Sequence, residues 1–230
     1  MTDPAREHLV LALDVASLDE AVTLATRLQP WFGTAKVGYE LYAAAGPSAF
    51  DAVHELGLRV FADLKLHDIP TTVGRGARAL GRHGVDFLNF HAAGGVEMLR
   101  AGVDGLRSGA AEAGHPEPVA LGVTVLTSEP DTTAFAARLD AARDAGCDGV
   151  VCSALEIADV RAEGLRTMVP GLRLAGSGAD DQARVATPAT AAAAGADWMV
   201  IGRTVTAAPD PEAASADLLV EVADALVGAT

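Results

Sequence analysis

Residues 8–40 read HLVLALDVASLDEAVTLATRLQPWFGTAKVGYE. The run HLVLALD (8–14) is apolar at every position between its ends, the pattern of a strand buried on both faces. In ASLDEAVTLATRLQP (16–30), Ser17 stands at a helix N-cap with Glu20 three residues on, a capping box, and apolar residues then recur at helical spacing. AKVGYE (35–40) is a second strand. Strand, helix, strand at this spacing predicts parallel neighbours, which need a crossover connection. The turn ALDVAS carries Asp14 where a dinucleotide-binding unit would place its first glycines, which disfavours a Rossmann-type sheet.

The same unit repeats outward along the chain. A helix opens at Pro47 and stops at Gly57, and LRVFADLKL (58–66) is the third strand. Pro70 and Gly84 bracket the next helix, and DFLNFHAA (86–93), PVALGVTVLTS (118–128), DGVVCSA (148–154), LRTMVPGLR (165–173) and DWMVIGRT (197–204) supply five more strands. The run TPATAAAAGA (187–196) fits a short packed helix. Eight β then α units in 230 residues, half of them hydrophobic, predict an α/β fold with parallel strands closed as a TIM (β/α)8 barrel spanning 1–230 as a single domain. An open doubly wound sheet is the second choice.

Composition narrows the partners. A formal charge of −14 repels nucleic acid and anionic membranes, so neither is expected as a partner. The first residues, MTDPAREH, lack a charged-then-apolar signal pattern, and no apolar run reaches the roughly 18 residues of a membrane span. A cytoplasmic protein is the expectation. Cys147 and Cys152 make neither a disulfide framework nor a zinc pattern and read as small buried thiols. Trp31 and Trp198 read as packing residues.

Charge collects where a barrel keeps its chemistry, at the C-terminal strand ends. Asp14 ends the first strand, Lys36 lies in the second, Asp63 and Lys65 end the third, and Asp68 follows in the loop. Asp63 and Lys65 are two apart and share a face, which Lys36 reaches from the adjacent strand. Taken alone, Asp-x-Lys fits a structural ion pair as well as a proton-transfer site. Charges at the ends of three successive strands favour the second reading, because each holds its neighbour ionised.

A second cluster lies near the other end. Gly202 and Arg203 close the eighth strand, at the usual phosphate position of such barrels, although a plain surface turn would look the same. PGLRLAGSGADDQARVATP (170–188) offers Arg173 and Gln182 in a candidate lid. His67 reads as ordering its turn by a hydrogen bond, and His91 could reach the barrel mouth.

The pieces LALD, KVG, DLKLHDIP, LTS, PGLR, DDQARVATP and IGR follow one another in the order of a known family. On these motifs the chain resembles the orotidine 5′-phosphate decarboxylases over nearly its whole length. It departs from that pattern at VPGLR, where the family commonly has threonine before the proline and isoleucine before the arginine. The resemblance implies that Asp63, Lys65 and Asp68 are catalytic, with Lys36 completing the charge network. It implies a homodimer in which Asp68, Ile69 and Thr72 reach the neighbouring site. Asp14 and Lys36 match ribose contacts, Thr127 the pyrimidine contact, and Arg173, Gln182, Gly202 and Arg203 positions around the phosphate.

The implied reaction converts orotidine 5′-phosphate to UMP and CO2, the last step of de novo pyrimidine nucleotide synthesis, without metal or organic cofactor. Lys65 would steady and then protonate the C6 carbanion. Two alternatives stand beside it. One is a related phosphosugar barrel, a keto-sugar phosphate decarboxylase or hexulose phosphate synthase, which also carries Asp-x-Lys but typically with magnesium. The other is a barrel that binds a phosphorylated ligand without turning it over.

Overall fold

The computed structural model describes residues 4–125, 132–173 and 186–228. Eight strands form one closed parallel barrel in sequence order: β1 (Leu9–Ala12), β2 (Thr34–Val37), β3 (Arg59–Leu66), β4 (Phe87–His91), β5 (Val119–Val123), β6 (Gly149–Val151), β7 (Arg166–Val169) and β8 (Trp198–Ile201). Closure is made by β1 against β8, with Val10 opposite Val200. The barrel expectation holds, and the open sheet is excluded.

The helices between them are α1 (Leu18–Leu28), α2 (Tyr39–Ala45), α3 (Ser48–Glu55), α4 (Pro70–Arg82), α5 (Gly95–Ala113), α6 (Phe135–Asp144), α7 (Ile157–Ala162), α8 (Pro188–Ala193), α9 (Arg203–Thr206) and α10 (Pro211–Gly228). Ser17 caps the first helix as read, accepting from the Glu20 amide, but the box does not close on Ser17: the Glu20 carboxylate reaches back to the Ala16 amide instead. Gly57 and Gly84 follow their helices in the left-handed region, at φ 74° and 73°, where a side chain would be strained.

Strand alternation divides the core in two. Leu9, Leu11, Ala35, Val37, Val60, Ala62, Leu88 and Phe90 face the helices. Val10, Ala12, Phe61, Phe87, Leu121, Met168, Trp198 and Val200 fill the barrel interior. Phe87 meets Trp198 edge-on at 4.9 Å, so the lower barrel is plugged with aromatic rings and the mouth is left for polar groups. Cys147 and Cys152 are buried and unpaired, as read.

The strands are shorter than the sequence suggested. β2 ends at Val37, not Glu40, because Gly38 turns the chain and Tyr39 opens α2, a helix the sequence reading missed. Gly46, at φ 58°, then separates α2 from α3. β5 stops at Val123, after which the Thr124 hydroxyl bonds the Val151 carbonyl across the strand ends. β8 stops at Ile201, and Arg203 begins α9.

Candidate active site

Phe61, Asp63 and Lys65 alternate toward the barrel interior at the upper end of β3, where the regular ladder breaks. Ala62 pairs with Leu88 and Leu66 with Phe90, so Asp63, Leu64 and Lys65 lie opposite the single residue Asn89. Lys65 takes φ 43°, the only positive φ of a non-glycine residue among those described. That conformation costs about 1–2 kcal/mol, and local strain of this kind concentrates at functional sites.

The bulge delivers Lys65 Nζ to Asp63 Oδ1 at 2.6 Å. Lys36, opposite Phe61 in the ladder, places Nζ 3.4 Å from Asp63 Oδ2 and 2.8 Å from Asp14 Oδ1. The resulting chain alternates in sign: Asp14, Lys36, Asp63, Lys65. Asn89, fully buried, donates its amide to Asp63 Oδ1 at 2.7 Å. Burial alone would raise the Asp63 carboxyl, but Lys36, Lys65 and the Asn89 amide outweigh it and hold the pKa below the ordinary carboxylate value.

Above this row the cavity is apolar. Phe61, Val123, Val125, Val151, Cys152, Pro170 and Val200 surround Lys36, Asp63 and Lys65. Lys36, Pro170 and Val200 are shared with an adjoining open cleft lined by Asp14, Leu172, Arg173, Gly202, Arg203 and Thr204. The strands thus gather Asp14, Lys36, Asp63, Lys65, Arg173, Gly202 and Arg203 around one opening, from segments far apart in sequence. Arg203 is exposed at the first turn of α9, and the Thr204 hydroxyl ties that turn to the Leu172 carbonyl at 3.1 Å. One end of the cleft has apolar walls around a charge-paired row, and the other is open and cationic.

Not every expected residue joins this cluster. Asp68 and Thr72 are exposed, Ile69 is 66% exposed, and among the described residues the Asp68 carboxylate accepts only from the Ile69 amide, at 2.6 Å. Thr127 and Gln182 lie outside the described residues, as does most of the candidate lid. Among the described residues His67 finds no turn hydrogen bond; its ring stacks on His91 at 5.3 Å instead. Among the described residues, no group of three or more His, Cys, Asp or Glu could hold a metal ion, and no helix is long and apolar enough to cross a membrane.

Sequence reasoning missed two residues here. Asn89 was passed over inside an apolar strand, although an amide at an inward position between Phe87 and His91 was the available signal. Tyr39 was assigned to β2, yet its hydroxyl donates to the Leu64 carbonyl at 2.7 Å and its ring lies 6.0 Å from Lys65 Nζ.

Residues 7–218 match the family model described as "Orotidine 5'-phosphate decarboxylase / HUMPS family". A Moorella thermoacetica protein named orotidine 5′-phosphate decarboxylase is 48% identical over 234 residues, covering 95% of this chain and 93% of its own length. One of the same name from Nitratidesulfovibrio vulgaris is 45% identical, over 94% of this chain and 97% of that protein. The solved orotidine 5′-phosphate decarboxylase of Lactobacillus acidophilus superposes with a TM-score of 0.79 at 33% identity, covering 94% of this chain and 99% of that one. With its barrel, its alternating Asp and Lys row and these likenesses together, the chain belongs to the orotidine 5′-phosphate decarboxylase / HUMPS family.

Proposed function

We propose that the protein converts orotidine 5′-phosphate to UMP and CO2, with Lys65 as the group that stabilises and protonates C6. The observation that carries this reading is the Asp63 carboxylate, partly buried between two ammonium groups at 2.6 and 3.4 Å in a cavity that adjoins the cleft of Arg203. The difficulty of the reaction is a carbanion with little delocalisation. The C6–carboxylate bond breaks with its electron pair left on C6, CO2 departs, and a proton passes from Lys65 Nζ to C6. Water then reprotonates the amine.

A fixed ammonium in an apolar cavity stabilises such charge without reorganising at the moment of reaction. Asp63 would face the substrate carboxylate. At 3 Å and an effective dielectric near 20 the repulsion is about 5 kcal/mol, relieved as CO2 leaves. Stabilisation of the carbanion by Lys65 is the principal effect, since Asp63 also pairs with Lys65 and holds it in place.

Asp14 and Lys36 would hold the ribose, and Thr127 the pyrimidine. Arg173, Gln182, Gly202 and Arg203 would hold the phosphate, where the planar guanidinium suits a bidentate contact. The working unit is a cytoplasmic homodimer of single-domain barrels in which Asp68, Ile69 and Thr72 enter the neighbouring site. In support, Tyr39 and Ile69 leave large apolar side chains 61% and 66% exposed in segments that follow adjacent strands, β2 and β3.

The test is the fall in ultraviolet absorbance when purified protein meets orotidine 5′-phosphate in EDTA, with UMP identified as product. Turnover that needs added magnesium would favour a phosphosugar enzyme of the same family. UMP binding without turnover would leave a non-catalytic barrel.

A further inference from the structure

The peptide unit joining Leu64 to Lys65 has lost its ladder partners. Asp63, Leu64 and Lys65 bulge opposite one residue of β4, so neither the Leu64 carbonyl nor the Lys65 amide meets a strand neighbour in register. Both groups are nonetheless satisfied, and by side chains. The Lys65 N–H donates to Asn89 Oδ1 at 2.7 Å, and the Leu64 carbonyl accepts from the Tyr39 hydroxyl at 2.7 Å. One peptide plane is thus gripped at both ends, from β4 and from the first residue of α2.

We propose that Asn89 and Tyr39 are positioning residues that clamp the 64–65 peptide, hold Lys65 in its left-handed conformation and thereby set the aim of its ammonium. The inference rests on the decarboxylase reading above and adds to it what fixes the proton donor in place. Three observations carry it. The left-handed backbone at Lys65 is not a glycine position and needs outside support. Asn89 uses its other end on Asp63 Oδ1, the same oxygen that receives Lys65 Nζ, so one amide fixes both the backbone and the counter-charge of the lysine. Burial and the nearby Asp63 charge both raise the Tyr39 pKa, which keeps its hydroxyl protonated and able to donate.

A displaced reacting group costs turnover more than binding. Asn89→Ala is expected to lower kcat for orotidine 5′-phosphate about 100-fold, with KM and the Kd for UMP within about threefold of the unsubstituted protein. Tyr39→Phe, which removes one neutral hydrogen bond, is expected to lower kcat about 10-fold with the same split. Thermal melting reports whether each variant is folded. A folded variant with unchanged kcat, or with a loss confined to KM, removes that residue from the clamp. If Asn89→Ala does not fold, Tyr39→Phe decides alone, since it keeps the ring of a largely exposed side chain and loses only the hydroxyl. Absence of turnover in the unsubstituted protein would overturn the decarboxylase reading, and this inference with it.

Discussion

Asp63 is the residue on which the site turns. Its pKa is depressed on folding, so its contribution to stability is complete above the unfolded value, about 3.9, and is lost as pH falls through the lower folded value. Urea unfolding should therefore show a constant stability difference between the unsubstituted protein and Asp63→Asn from neutral pH down to about pH 4, shrinking below that. A difference that persisted unchanged in stronger acid would mean that the two lysines do not hold the carboxylate. Burial acts in the other direction on the thiols: it pushes Cys147 up to about 12 and raises Cys152 as well. An alkylating reagent at neutral pH should leave both unlabelled in the native protein and label both in denaturant. Labelling of the native fold would contradict their burial.

The residues that sequence showed and those it hid differ in kind. Lys36, Asp63 and Lys65 stood out because charge in apolar strands is costly, and period-2 alternation placed them on one face. Asn89 and Tyr39 act through a bulge, and a bulge depends on how two strands register, which neither strand states alone. Asp68 was legible as a charge, yet within this chain it lies exposed and its carboxylate accepts from the neighbouring Ile69 amide, apart from the two lysines.

At the scale of elements, the alternation of apolar strands and capped helices gave the barrel its order, while boundaries were overextended where strand ends become site. Tyr39 and Glu40 follow closely on Ala35, Lys36 and Val37, so they read as strand until Gly38 is seen to turn the chain into α2. One contact between helices was not legible either. A Cβ on Gly109 of α5 would meet the Arg78 carbonyl of α4 at 2.1 Å, and one on Gly105 would meet the Gly74 carbonyl at 2.2 Å. The two helices therefore approach backbone to backbone. Gly109→Ala would gain about 1 kcal/mol in helix propensity, yet the separation it forces should leave a net loss of about 1–2 kcal/mol. The urea midpoint measures this, and an unchanged or raised midpoint would show that α4 and α5 can part without cost.

At the scale of the whole molecule, closure of eight strands brings Asp14 and Arg203 to one rim although 189 positions separate them. The proposed homodimer adds a testable requirement. Lys65→Ala and Asp68→Asn, each inactive alone, should recover activity when mixed and allowed to exchange subunits. Half of the dimers are then hybrid and half of the sites in each hybrid are intact, so about a quarter of full activity returns. No recovery after demonstrated exchange would place Asp68 in its own subunit's site or outside catalysis.

The most direct measurement is turnover of orotidine 5′-phosphate by Lys65→Ala, followed by ultraviolet absorbance beside the unsubstituted protein, with UMP binding confirmed for both. Loss of about a thousandfold or more, with the fold and UMP binding kept, is the predicted result. Turnover within about tenfold of the unsubstituted protein would contradict the assignment of the ammonium to C6.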